Sequence, residues 1–156
     1  MFSFFKRALF LLLAAFVFGA SAGLFTACDS NTNDDASIYA TWVSSYGEEY
    51  IITPTVFTST GAYAGTIENI RGDGKGAGYI TIKYTENKFY GAPAVGKYYV
   101  IHYKDLNSST VSISGAYSAA DADNGGGSGK ADKGLAESTY TTANGYFGFY
   151  SACQKQ

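Results

Sequence analysis

Arginine and histidine are almost missing from this chain, cysteine occurs twice, and no apolar run reaches membrane-spanning length. The arginines are Arg7 and Arg71 alone. Arginine is the main reader of bases and phosphates, and the formal charge is −2 with no basic run, so nucleic acid is not an expected partner. His102 is the sole histidine, and with Cys28 and Cys153 it offers too few ligands for a typical zinc site. Leucine and methionine are equally scarce: past residue 27 only Leu106 and Leu135 remain, and no methionine. These are helix-favouring residues, so their absence argues against a helical domain.

What fills the chain instead suits a pleated surface. Residues 28–156 hold 14 Tyr, 13 Thr, 9 Ile and 5 Val, with 17 Gly to serve tight turns. Leu, Ile, Val and Phe make up only 20 of those 129 residues, a fraction that raises the question of disorder. Low net charge and tyrosines at strand spacing answer it, because tyrosine rings supply apolar area when their hydroxyls find partners. Strands are expected at 38–45, 49–53, 55–59, 63–70, 78–86, 97–106, 110–117, 137–142 and 146–152. Two alternate cleanly: Ile80, Ile82 and Tyr84 share one face, as do Tyr99, Ile101 and Tyr103. Asn144-Gly145 reads as a hairpin turn, and the glycine-rich stretch within 121–134 as a mobile loop. The expected fold is all-β: a single antiparallel up-and-down barrel or a sandwich of 8–9 strands.

The first 28 residues have their own pattern. Lys6-Arg7 precede an apolar run of 11 residues at 8–18, then small residues lead to Leu24-Phe25-Thr26-Ala27-Cys28. A spanning helix needs about 20 apolar residues. The segment resembles a bacterial lipoprotein export signal, with a loose lipobox in which Phe25 holds the usual leucine position. That resemblance implies a signal peptide at 1–27, a lipidated tether at 28–37 and a β domain at 38–153, with acyl chains on Cys28 holding the protein to a membrane of the bacterial envelope. The tether's root-mean-square span is on the order of 15–20 Å. The alternative is cleavage after Ala20-Ser21-Ala22, leaving a secreted protein in which a Cys28–Cys153 disulfide is open to form.

Ala40-Thr41-Trp42 at the start of the first expected strand, followed by about eight strands, resembles a lipocalin-type (calycin) barrel. Those proteins open with Gly-x-Trp, and Trp42 is the chain's only tryptophan. Ala40 departs from that pattern, and no arginine on a late strand is available to stack on the indole. The resemblance implies a cavity for a small apolar ligand, contacted by Trp42, Ile80, Ile82, Tyr84, Tyr99, Ile101 and Tyr103. A filled core would use the same residues equally well.

Catalytic motifs are not found. His102 sits mid-strand with no local carboxylate or nucleophile, and Glu48 and Glu49 are adjacent, so a strand points them to opposite faces. Asp121, Asp123 and Asp132 have a calcium-loop-like order, but Gly125 fills the place of an oxygen donor. Gly125 and Gly129 are too close for a phosphate loop, and Ala131 follows Lys130. Arg71-Gly72-Asp73 matches an integrin-binding tripeptide on an expected turn. The expectation is therefore a lipid-anchored, non-enzymatic envelope protein with no cofactor and no metal, either binding a small apolar ligand or serving a structural role. The alternative is a recognition or adhesion module that meets a glycan or host protein through exposed Tyr39, Tyr46, Tyr90 and Tyr140.

Overall fold

The computed structural model describes residues 36–73 and 75–156. The export segment, Cys28 and the tether up to residue 35 lie outside the described residues.

Eight antiparallel strands close into one barrel in simple chain order. They are β1 Ala40–Ser44, β2 Glu49–Ile52, β3 Val56–Ser59, β4 Tyr63–Gly72, β5 Gly78–Asn87, β6 Tyr98–Lys104, β7 Thr110–Gly115 and β8 Ser151–Lys155. Barrel, not sandwich, is the outcome. Closure comes from β1 against β8, where Trp42, Val43 and Ser44 face Lys155, Gln154 and Cys153. Full closure leaves no strand edge to pair with another chain.

One row of side chains fills the interior. Ile80, Ile82 and Tyr84 of β5 lie opposite Ile101 and Tyr99 of β6 and Gly65 of β4, in register with the expected alternation. Phe57, Ile80, Ile82 and Ile101 have no exposure, and Val111 and Ile113 almost none. Trp42 is likewise buried, and its indole N–H donates to Ile38 O at 2.8 Å, which satisfies the polar end of the ring.

The region between β7 and β8 departs from expectation. The segment expected as a strand at 137–142 instead holds the last turn of α1, Lys133–Thr139, and then the start of a 3-10 turn at Thr142–Asn144. Asp132 caps α1 by accepting from Leu135 N at 2.8 Å. Glu137 on α1 accepts from Thr81 and Asn69 on the barrel's outer wall. That docking overrides the β preference of a Ser-Thr-Tyr-Thr-Thr run. The Asn144-Gly145 pair does make a turn, but Gly145 ends the 3-10 turn at φ +80° rather than joining two strands. Pairing resumes only at Ser151 and continues to Lys155, past the expected strand end at 152.

The glycine-rich stretch is packed rather than free. Gly125 and Gly126 are buried, and Lys130 pairs with Tyr98 through backbone bonds of 2.7 and 2.8 Å. At Gly126 the backbone has φ +96°, and a Cβ would come within 3.0 Å of Tyr140 and 3.1 Å of Tyr146, so only glycine fits.

Replacing Ile82 by Ala empties part of the interior and is expected to lower unfolding free energy by about 2–5 kcal/mol. Leu135, half exposed on α1, should change it by under about 0.5 kcal/mol when replaced by Ala. Urea denaturation of the two variants checks this contrast.

Candidate functional site

Up-and-down order places the turns after β1, β3 and β5, and the long β7–β8 connection, at one end of the barrel. At this end a cleft of about 530 Å3 opens. Its wall includes Tyr50 of β2, Tyr63 of β4, Tyr99 of β6 and Ile113 of β7. Its rim includes Phe89 from the β5–β6 turn, with Tyr117 and Phe149 from the two ends of the β7–β8 connection. Phe89 and Phe149 are 72% and 76% exposed, and Tyr117 is half exposed. Exposed aromatic rings that gather around a cleft mark a contact surface.

The wall is an aromatic belt. Phe57 stacks on Tyr63 at 5.9 Å, Tyr63 meets Tyr84 and Tyr99 edge-on at 5.7 and 5.6 Å, and Tyr84 stacks on Tyr99 at 5.3 Å. These are favourable ring geometries, each contributing about 0.5–1.5 kcal/mol beyond burial. Gly115 makes room for the belt: a Cβ there would stand 2.5 Å from the Tyr99 hydroxyl.

Hydroxyl partners divide the belt into two halves. Tyr84 donates to Gly127 O, Tyr99 to Ala116 O and Tyr140 to Gly126 O, at 3.0, 3.0 and 2.7 Å. The bonds from Tyr84 of β5 and Tyr99 of β6 hold the β7–β8 connection against one side of the barrel end, and the Tyr140 bond ties two parts of that connection together. On the other side Tyr50 makes only a 3.3 Å bond to Ser151, and Tyr63 makes no side-chain hydrogen bond with the described residues. Ser151 in turn donates to the Glu48 carboxylate at the rim. Burial pushes Tyr50 up to about 12 and also holds Tyr63 above the ordinary tyrosine range, with the Glu48 charge adding to both.

All seven residues expected to contact a ligand are buried and belong to one core cluster. Of them, Tyr99 alone lines the mouth cleft; Trp42, Ile80, Ile82 and Ile101 are fully buried, and Tyr84 and Tyr103 nearly so. Sequence reasoning missed Tyr50, Tyr63, Phe89, Tyr117 and Phe149. A signal was available for two of them: Phe89 and Phe149 are aromatics beside glycine-containing turns, with no apolar row to join.

Other candidates are occupied by structural duties. His102 lies on the outer wall, its Nδ1 2.8 Å from the Tyr150 hydroxyl and its ring 4.5 Å from Tyr79; burial and then Lys104 lower its pKa. Asp121 and Asp123 embrace Lys130 at 3.5 and 3.0 Å, and Asp132 caps α1, so the calcium-like order serves the fold. A hydrogen bond from Tyr146 holds Asp121 below the usual carboxylate range. Arg71, Gly72 and Asp73 are exposed, but the Asp73 carboxylate accepts from Lys75 N and Ala77 N within its own turn. Among the described residues Cys153 has no disulfide partner, and burial pushes its thiol up to about 11. Tyr140, expected on the surface, has no exposure, and Tyr90 is half-buried. A hollow of about 580 Å3 along β1, β7 and β8 is larger than the mouth, but no aromatic residue lines it.

Two outcomes follow from the belt. Gly115→Ala forces the Tyr99 ring aside and should destabilise the barrel by about 1–3 kcal/mol in urea titration. Tyr50, Tyr63, Tyr84, Tyr99 and Tyr140 all have folded pKa values raised above the tyrosine value of 10.0, chiefly by burial. Their contribution to stability is thus complete below about pH 10 and declines as pH rises beyond it. Absorbance at alkaline pH should show a first phenolate step from exposed rings such as Tyr46 and a later one that appears together with loss of near-ultraviolet circular dichroism; titration of every tyrosine before that loss contradicts the burial.

No protein-family description, no curated protein and no solved structure matches this chain.

Proposed function

We propose that this protein is a lipid-anchored binding protein of a bacterial envelope that takes a small molecule with an apolar body into the mouth of its barrel. The observation that carries this reading is the cleft of about 530 Å3, walled by Tyr50, Tyr63 and Tyr99 and rimmed by exposed Phe89, Tyr117 and Phe149. That volume falls within the range of small-molecule sites, about 300–1,000 Å3, and an apolar lining with a few polar groups is their usual make-up. Glu48, Ser151 and the Tyr63 hydroxyl supply the polar groups. The lipocalin-type resemblance points to the same kind of ligand but to a deeper site, and the openness of the mouth favours the shallower one.

Anchoring rests on Cys28 and the export-like segment before it. Ile38 leads into β1 at the barrel end opposite the mouth. Recognition of a glycan or host protein by a row of tyrosines finds less support. Tyr39 and Tyr46 are exposed but flank opposite ends of β1, and Tyr140 is buried.

Native mass spectrometry of the protein purified from its own host should show a co-purifying small molecule that is lost in a Phe89→Ser, Phe149→Ser double variant. Persistent absence of such a molecule from the unaltered protein counts against the binding role. The intact mass of the same sample should carry acyl chains on Cys28, and an unmodified thiol there contradicts the anchor.

A further inference from the structure

We infer that the ligand of the mouth is an organic ammonium cation, a positive nitrogen on an apolar body. This rests on reading the mouth as a small-molecule site and adds the sign of the ligand's charge.

Among the described residues, Glu48 is the only charged one lining the cleft, and no Lys, Arg or His stands in its wall. Its carboxylate is fixed at the rim by the hydrogen bond from Ser151, which itself accepts from Tyr50. An anion entering the mouth meets that charge without a compensating base. A neutral apolar ligand gains nothing from it. A cation is attracted by it and then by the ring faces behind it.

Ring orientation suits a compact cation. Tyr63 stands at 79° to Tyr99, so the two wall rings differ in orientation. The negative faces of such rings attract ammonium groups, more strongly once water is displaced. Elsewhere the protein already uses this attraction. Arg71, Lys83, Lys104 and Lys130 lie over Tyr79, Tyr98, Tyr150 and Tyr140, at 4.3 to 5.6 Å from the ring centres. Among the described residues, no such cation lies over Tyr50, Tyr63 or Tyr99. The tyrosines of the cleft are left without a protein cation, and an acid sits at its entrance.

The test compares choline with its neutral isostere 3,3-dimethyl-1-butanol, by NMR titration of the tyrosine and phenylalanine ring signals in the folded protein. The two differ in charge and hardly in shape. Choline should shift the signals of Tyr63, Tyr99 and Phe89 and bind about fivefold tighter than the alcohol. Glu48→Gln, an exposed substitution that retains a hydrogen-bond acceptor for Ser151, should remove most of that advantage by weakening choline more than the alcohol. Equal binding of the two probes to the unaltered protein overturns the charge assignment while the mouth stands as a site. Weakening of both probes alike by Glu48→Gln overturns it too. If neither probe shifts the mouth signals, the mouth reading falls together with the charge assignment.

Discussion

A tyrosine inside a barrel brings a large apolar ring and a hydroxyl that needs a partner, and that double demand organises this protein. The aliphatic content is too low for a purely Leu/Ile/Val interior, so tyrosine rings make up much of the packed area. Hydroxyls cannot be left dry, because a buried unsatisfied group costs about 1–3 kcal/mol. Three of them are satisfied by carbonyls of the β7–β8 connection, at Ala116, Gly126 and Gly127. Glycine is required there because rings crowd the same backbone.

From that arrangement the mouth follows. The connection is drawn onto the side of Tyr84 and Tyr99, whose hydroxyls bond its carbonyls, and Tyr140 braces it from within. The opposite side, at Tyr50 and Tyr63, has no such cover and opens as the cleft. The exposed rim of Phe89, Tyr117 and Phe149 then belongs to the same asymmetry, since two of these rings sit at the ends of the docked connection. Packing, polar satisfaction and the candidate site are thus parts of one solution to a tyrosine-rich composition.

Much of the barrel was legible from residue order because its strands obey a period of two. Ile80/Ile82/Tyr84 and Tyr99/Ile101/Tyr103 point inward as that period requires, and the first seven strands lie within a few residues of expectation. The β7–β8 connection was not legible for a physical reason. Its Asn-Gly-Gly-Gly-Ser-Gly run has few side chains of its own, so composition reports freedom, whereas order is imposed by rings from β5, from β6 and from Tyr140. Residues 137–142 misled in the opposite sense: their strand-like composition yields to an Asp132 cap and to contacts between Glu137 and the outer wall. The mouth residues escaped notice because Tyr50 and Tyr63 come from short or irregular rows, and a cleft depends on which neighbours are absent.

The claim that tyrosine hydroxyls dock the glycine-rich connection is tested most directly by amide hydrogen exchange at Gly125, Gly126, Gly129 and Lys130. Their backbone N–H groups bond to Asp121, Asp123, Gly126 and Tyr98 carbonyls in the docked arrangement. Exchange should be slow in the unaltered protein and should accelerate at these positions in a Tyr84→Phe, Tyr140→Phe variant while β5 and β6 remain protected. Exchange at these amides as fast as in an unstructured chain, already in the unaltered protein, would contradict the docking and with it the origin of the mouth.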